Sequence, residues 1–413
     1  MNKFFKGILS FMCCIPFTVS VACNREKADK PQSRDWVEIS TFPKENEENY
    51  QSVLSAYLQP VWHTKEVYDE TALVVGQNGK ATLLYEPDGE IIVRNYNLTT
   101  TYKKDIDYRI EGKTITRMVG GNLPYFETDE YYMQTPGYIP IAVRGDLSYE
   151  KFGATRYLYF AEGVGITKNQ ISISYKTKDS WKGVKPIAKT RNISNFINKI
   201  ENDRSAIIAF YGDSITTGCN ASGTIHGENK NPYLPDWPTL VCAGLSKKFK
   251  ADVRKINEGV GGWTVTNGAT NYDEKIGAHD EKIDLLVLAF GMNDGGTTTA
   301  VYKARTVEML DKFMQKYPEA AVVLVSSMQP NTESTWVGNQ LYFEEVLNEI
   351  ATEKEQVAVA PILSMFLSME ENHSKLTRDW LANNINHPND FGVRLYAQVI
   401  LNTIVGNDYF IFE

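Results

Sequence analysis

Residues 206–210, Ala-Ile-Ile-Ala-Phe, run directly into Tyr211-Gly212-Asp213-Ser214-Ile215-Thr216-Thr217-Gly218. A short, wholly apolar run ending in a glycine-containing polar turn is the pattern of a buried parallel strand. Parallel strands need crossover connections, usually helical, that cover both faces of their sheet. This junction therefore commits the surrounding chain to an α/β arrangement. It also puts Ser214 outside a strand's carboxyl end, where open α/β sheets bind ligands. A helix starting at Ser214 would add unpaired N–H groups able to face a developing negative charge. On this fragment alone, a serine that merely caps a helix is the plainer alternative.

The second half repeats the rhythm, with strands expected at 205–210, 252–256, 284–290, 321–326 and 356–360. Helices are expected at 236–249, 299–316, 339–353 and 392–404, which implies a parallel sheet covered on both faces. Three further loops carry chemistry. Asn257-Glu258-Gly259-Val260-Gly261-Gly262-Trp263-Thr264 follows a strand-like run, and the apolar run Leu285–Phe290 ends in Gly291-Met292-Asn293-Asp294. Asn383-Asn384-Ile385-Asn386-His387 stands just ahead of a helix start. Together these loops offer a hydroxyl, a glycine amide, a side-chain amide and an imidazole.

A neutral serine needs a base within hydrogen-bond reach, and histidine suits that task near neutral pH. Attack on an ester carbonyl creates an oxyanion, for which the N–H groups of Ser214 and Gly262 and the Asn293 side chain are the expected donors. Glycine at 262 is expected because the missing Cβ lets the backbone approach closely. The Gly-x-Ser-x-Gly elbow of α/β-hydrolases is not met, since Thr216 stands where its last glycine would be.

In these four blocks the sequence resembles the SGNH (GDSL-type) hydrolase family, over roughly residues 204–405. The resemblance implies a three-layer α/β/α fold and ester hydrolysis, often deacetylation. Carried over by position, Ser214 is the nucleophile, Gly262 and Asn293 are the oxyanion residues and His387 is the base. One position departs from the family's pattern. Asn384 stands three residues before His387, where the family usually has an aspartate that orients the ring. Either the Asn384 side chain or a backbone carbonyl near Asn384 or Ile385 takes that place, and a Ser–His dyad is the expectation. Asp379 and Asp390 are nearby carboxylates, but Asp390 is expected to cap the helix beginning near Phe391. Asp213 is counted with the pocket, holding its loop by local hydrogen bonds. Trp263 and Trp336 are candidate walls of a small acyl pocket, with plain packing as the alternative.

From about 41 to 178 short apolar or alternating runs recur: 71–75, 81–85, 90–98, 114–119, 155–160 and 170–177. Turn signals such as Gln77-Asn78-Gly79 and Pro87-Asp88-Gly89 separate them, so a β-sandwich of jelly-roll type is expected. A linker, 179–204, with a short helix over Asn192–Asn202, joins it to the hydrolase domain at 205–413. The layout is similar to that of family 2 carbohydrate esterases. That resemblance implies an acylated carbohydrate as substrate.

The amino terminus reads as a leader. Basic Met1–Gly7 and the apolar stretch 8–22 end at Ala22-Cys23, which resembles a lipoprotein signal with Cys23 as the acylated residue. Residues 24–40 form a polar tether. The expected location is outside the cell or in its envelope, with a lipid anchor as the link to a membrane. Cys219 and Cys242 are expected as free thiols. No Cys/His cluster has metal-ligand spacing, so neither metal nor cofactor is expected. His279 is read as solvated, and His63 and His226 as ordinary loop residues. Net charge −8 with pI about 5.4 argues against a nucleic-acid partner. The leading expectation is a serine esterase for acetyl or other small acyl groups on carbohydrate. A lipase or thioesterase for longer chains, and a carbohydrate-binding lipoprotein with a vestigial site, are the alternatives.

Overall fold

The computed structural model describes residues 39–133, 138–140, 145–150 and 156–407, with backbone alone for 138–150. The leader and Cys23 lie outside the described residues, as does the side chain of His226. Residues from Val37 onward form one compact unit. No helix among the described residues is long and apolar enough to cross a membrane.

The α/β half is built on a five-stranded parallel sheet. Its spatial order is Asp252–Asn257, Ser205–Gly212, Leu285–Ala289, Ala321–Val325, Val357–Ala360. Residues 321–325 and 357–360 are buried throughout because helices cover both sides. Helices Trp237–Phe249 and Asp390–Val405 pack together on one face, while Val265–Thr270, Thr299–Lys316 and Phe343–Glu353 cover the other. Asp236 starts the first of these by accepting from Thr239 N–H, and Thr298 starts the longest by accepting from Val301 N–H. Tyr211, Phe290, Tyr302, Leu310, Phe313 and Phe343 fill one side of the core.

This strand order has a physical consequence for the site. The Ser205–Gly212 strand pairs with the Asp252–Asn257 strand on one side and the Leu285–Ala289 strand on the other. The chain leaves it for the 252–257 strand on one side and then crosses back to the 285–289 strand on the other, the reversal of strand order at whose carboxyl ends open α/β sheets form a crevice. The loops carrying Ser214, Gly262 and Asn293 follow those same three strands.

The first half holds three antiparallel sheets. The largest runs Glu66–Leu73, Gln170–Thr177, Pro87–Asn95, Thr101–Tyr102. The second is Lys80–Thr82, Thr114–Arg117, Tyr108–Glu111; the third is Tyr132–Met133, Tyr157–Tyr159, Gly145–Glu150, Tyr138–Pro140. One feature departs from the sequence expectation. Tyr50–Leu58, inside the stretch read as strands, is a helix packed against helices 237–249 and 390–405. The alternating strand Gln170-Ile171-Ser172-Ile173-Ser174-Tyr175, expected as a strand, is buried on both faces. Its polar face is turned to the second half: Gln170 Nε2 donates to the carbonyl of Leu381, and Asn389 Nδ2 donates to Gln170 Oε1.

That seam is charged as well as polar. Lys375, fully buried, sits 2.8 Å from Glu70 and 3.7 Å from Asp379 and donates to the carbonyl of Thr71. Burial pulls its pKa down, but Glu70 and Asp379 outweigh that and hold it above the ordinary lysine value. Arg394 donates to the carbonyls of Tyr68 and Asp69, and Asp379 Oδ1 accepts from Leu73 N–H. The segment from Lys375 to Arg394, which contains His387, is therefore clamped to the antiparallel sheets.

Candidate active site

Ser214 does not begin a helix. After Gly212 the chain makes successive turns through Asn220, in which Thr217 N–H donates to Asp213 O and Cys219 N–H to Ser214 O. Gly212 is required here, since a Cβ would lie 2.4 Å from the carbonyl oxygen of Ala289 and 2.2 Å from Thr216 Oγ1. Asp213, almost fully buried, accepts from Ile215 N–H at 2.9 Å, the local tie expected of it. Burial pushes its carboxyl up to about 7.

The two neighbouring loops are fastened to this one. Val260 N–H donates to Gly212 O, and Asn257 Nδ2 donates to Thr216 O. Asp294 accepts from Val265 N–H, and Asn293 Nδ2 donates to Trp263 O at 3.0 Å. Gly262 has φ +77°, a backbone region costly for side-chain-bearing residues. A Cβ there would meet nothing within 4 Å, so conformation and not close approach demands the glycine. Among the described residues neither the Ser214 nor the Gly262 amide donates to another group of the chain.

His387 closes the site from the other side. Its Nε2 lies 2.9 Å from Ser214 Oγ, and both residues are buried. Asn383 builds the turn beneath it: its Oδ1 accepts the N–H groups of Ile385, Asn386 and His387. Asn389, not Asp390, caps the following helix by accepting from Phe391 and Gly392 N–H. Asp390 is the helix's first residue and accepts instead from Ser222 N–H, 2.8 Å away.

The expected orienting group is corrected by the geometry. Asn384 is fully buried at φ +70°, with its side chain turned away from the imidazole. Its Oδ1 accepts from the Tyr131 hydroxyl at 2.7 Å and its Nδ2 donates to Tyr159 O at 2.8 Å. Nor does a backbone carbonyl serve. His387 Nδ1 lies 2.9 Å from Asn220 Oδ1 and 3.4 Å from Glu162 Oε2. With two oxygens facing Nδ1, the proton belongs there, which leaves Nε2 free to accept from Ser214. Burial opposes a charged ring, yet the hydrogen bond and charge of Glu162, with Cys219 and Asp213, raise the His387 pKa above the ordinary value.

Asn220 and Glu162 were not singled out from sequence. Asn220 follows the nucleophile loop in Cys219-Asn220-Ala221-Ser222, where nothing distinguishes it from a surface turn. Glu162 ends the apolar run Tyr157–Ala161, a carboxylate at a strand end like several others. Of the two tryptophans, Trp263 packs edge-on to Tyr211, and Trp336 donates to Met292 O and packs against the apolar cluster that includes Ile385 of the histidine loop. Cys219 and Cys242 are free thiols. His279 is half-buried against Glu258 at 3.2 Å rather than solvated, and His63 is exposed.

No curated protein sequence matches the chain. Among solved structures it is similar to a two-domain esterase active on acetylated mannans, crystallised with mannopentaose. The two are 21% identical over 53% of this chain and 54% of that one, with a TM-score of 0.41, so the match spans about half of that esterase. It is also similar to a catalytic mutant of an acetylxylan esterase from Geobacillus stearothermophilus (19% identity, 50% of this chain and 95% of that one, TM-score 0.39). An alpha/beta hydrolase from the metagenome of Lake Arreo, Spain, matches at 21% identity over 49% of this chain and 96% of that one, TM-score 0.38. Residues 210–395, which carry Ser214, Gly262, Asn293 and His387, match the model of one family, the GDSL-like lipase/acylhydrolases.

Proposed function

We propose that the protein is a serine esterase that removes acetyl or similarly small acyl groups from an acylated carbohydrate outside the cell or in its envelope. The observation that carries the reading is the 2.9 Å contact between Ser214 Oγ and His387 Nε2. His387 takes the serine proton as Oγ attacks the ester carbonyl. The Ser214 and Gly262 amides and the Asn293 side chain donate to the resulting oxyanion. The imidazolium then gives its proton to the sugar oxygen as the C–O bond breaks, so that the sugar leaves as a hydroxyl. Water, activated by the same ring, hydrolyses the acyl-enzyme.

The preference for a small acyl group takes Trp263 and Trp336 as its walls, both tied to the Asn293 loop by hydrogen bonds: Asn293 Nδ2 donates to Trp263 O and Trp336 Nε1 to Met292 O. The vestigial-site alternative was motivated by Asn384. With Asn220 and Glu162 at Nδ1, that motive falls away. The lipid anchor at Cys23 belongs to this proposal as its means of retention at a membrane.

A chromogenic acyl-ester series tests the reading. Hydrolysis is expected to be fastest for acetate and to fall with chain length, and Ser214→Ala is expected to abolish it while the fold persists. A serine-directed organophosphorus reagent is expected to add once, at Ser214. Full activity in the alanine variant ends the proposal, and a preference for long chains replaces it with a lipase.

A further inference from the structure

We infer that Glu162, contributed by the antiparallel β half, is the acidic partner of His387, so that the active site is completed across the seam. The inference rests on the Ser214–His387 reading above. In the family's pattern the acidic residue precedes the histidine on the same loop. Here that position holds Asn384, and its work is different: it clips the histidine loop to the strand Tyr157–Tyr159 through Tyr159 O. Tyr159 stands three residues before Glu162, as Asn384 stands three before His387. The clip thus sets two segments side by side in a register that brings the carboxylate to the ring.

The surroundings hold Glu162 in place. Ala161 and Ile166 on either side of it are fully buried in the apolar cluster that also takes in Ile385 from the histidine loop. Glu162 is itself about nine-tenths buried, its Oε2 lies 3.4 Å from Nδ1, and its Oε1 accepts from Asn383 Nδ2 at 3.2 Å. Asn220 fixes the ring's tautomer but carries no charge, whereas Glu162 supplies the negative charge that an imidazolium needs in a buried site. Glu162 therefore acts through His387, as a positioning and charge-balancing residue. The other ionisable groups facing the ring are Asp213 and Cys219.

Steady-state hydrolysis of p-nitrophenyl acetate by the full-length chain tests this with Glu162→Gln. The expected result is a kcat lower by roughly ten- to a hundredfold with KM little changed. That is less than the about 10⁴-fold loss when a triad aspartate becomes asparagine, because Asn220 still holds the tautomer. The acid limb of the kcat/KM profile is expected to move to lower pH, since the neutral ring is the active form and loss of the carboxylate lowers its pKa. Glu162→Asp is expected to recover part of both effects. A Glu162→Gln enzyme with kcat within about threefold of wild type and an unmoved acid limb overturns the inference. The wild-type protein gives an independent reading through the pH dependence of organophosphorus labelling at Ser214. A midpoint above the ordinary histidine value supports a charged partner. A midpoint at or below it overturns one, because a buried imidazole lacking such a partner titrates low. Absence of wild-type labelling overturns the nucleophile reading itself, whereas labelling with the wrong pH dependence overturns Glu162 alone.

Discussion

The two sides of the crevice are held by different means. Ser214, Gly262 and Asn293 sit on loops that follow three adjacent parallel strands, and those loops are bonded to one another. Their placement follows from the sheet. His387 also lies in the α/β half by sequence, but its loop and the residues just before it are clamped from outside by Tyr131, Tyr159, Gln170 and Glu70 of the first half. A site whose nucleophile side is intrinsic and whose base side is braced by another region is expected to fail in two distinguishable ways. Changes on the first side act on the chemistry alone, and changes on the second act on stability as well.

The largest effect is expected at the seam. Lys375→Met removes the cation between Glu70 and Asp379 and leaves buried carboxylates uncompensated, which costs about 3–5 kcal/mol of stability. Thermal and urea unfolding measure it, and activity is expected to be lost at lower denaturant than in the wild type. An unchanged midpoint shows that the clamp contributes nothing.

On the intrinsic side, Asn293→Ala is expected to lower kcat by roughly 10²–10³ with KM nearly constant, since its hydrogen bond strengthens only as charge develops. Its unfolding midpoint is expected to stay close to wild type. A change confined to KM makes Asn293 a ground-state binding residue instead, and a large loss of stability blurs the contrast between the two sides.

The smallest effect sharpens the contrast at one position. Asn384→Asp restores the family's residue type, yet it is expected not to raise kcat/KM. The side chain faces Tyr131 and the Tyr159 carbonyl, and a carboxylate oxygen in place of Nδ2 meets that carbonyl without a proton to share. A loss of about 1–3 kcal/mol is expected from the unsatisfied pair. A hundredfold gain in activity shows that the loop can turn the new carboxylate to the ring.

The chemistry of the first three blocks was legible because local rules set it. An apolar run dictates a buried parallel strand, a glycine-bearing turn dictates its end, and the order of strands puts the ends together. The parallel strands were placed to within a few residues for the same reason. Helix Tyr50–Leu58 was missed because its apolar residues are spread nearly all round it, as suits a helix buried between two others. The alternation of Gln170–Thr177 gave a strand correctly but not the partner of its polar face. Nothing in a polar residue's identity tells whether its partner is water or another part of the chain.

Sequence by itself determined the α/β architecture and marked Ser214, Gly262, Asn293 and His387 as the residues of the proposed site, because each is specified by residues next to one another. Tertiary structure alone decided what holds the histidine. Glu162 and Asn220 are 225 and 167 residues away from His387 in the chain, so no local periodicity or spacing links them to it. Only the docking of the antiparallel sheets onto the loop, through Asn384 and the buried charges beside it, brings a carboxylate and an amide to one ring nitrogen.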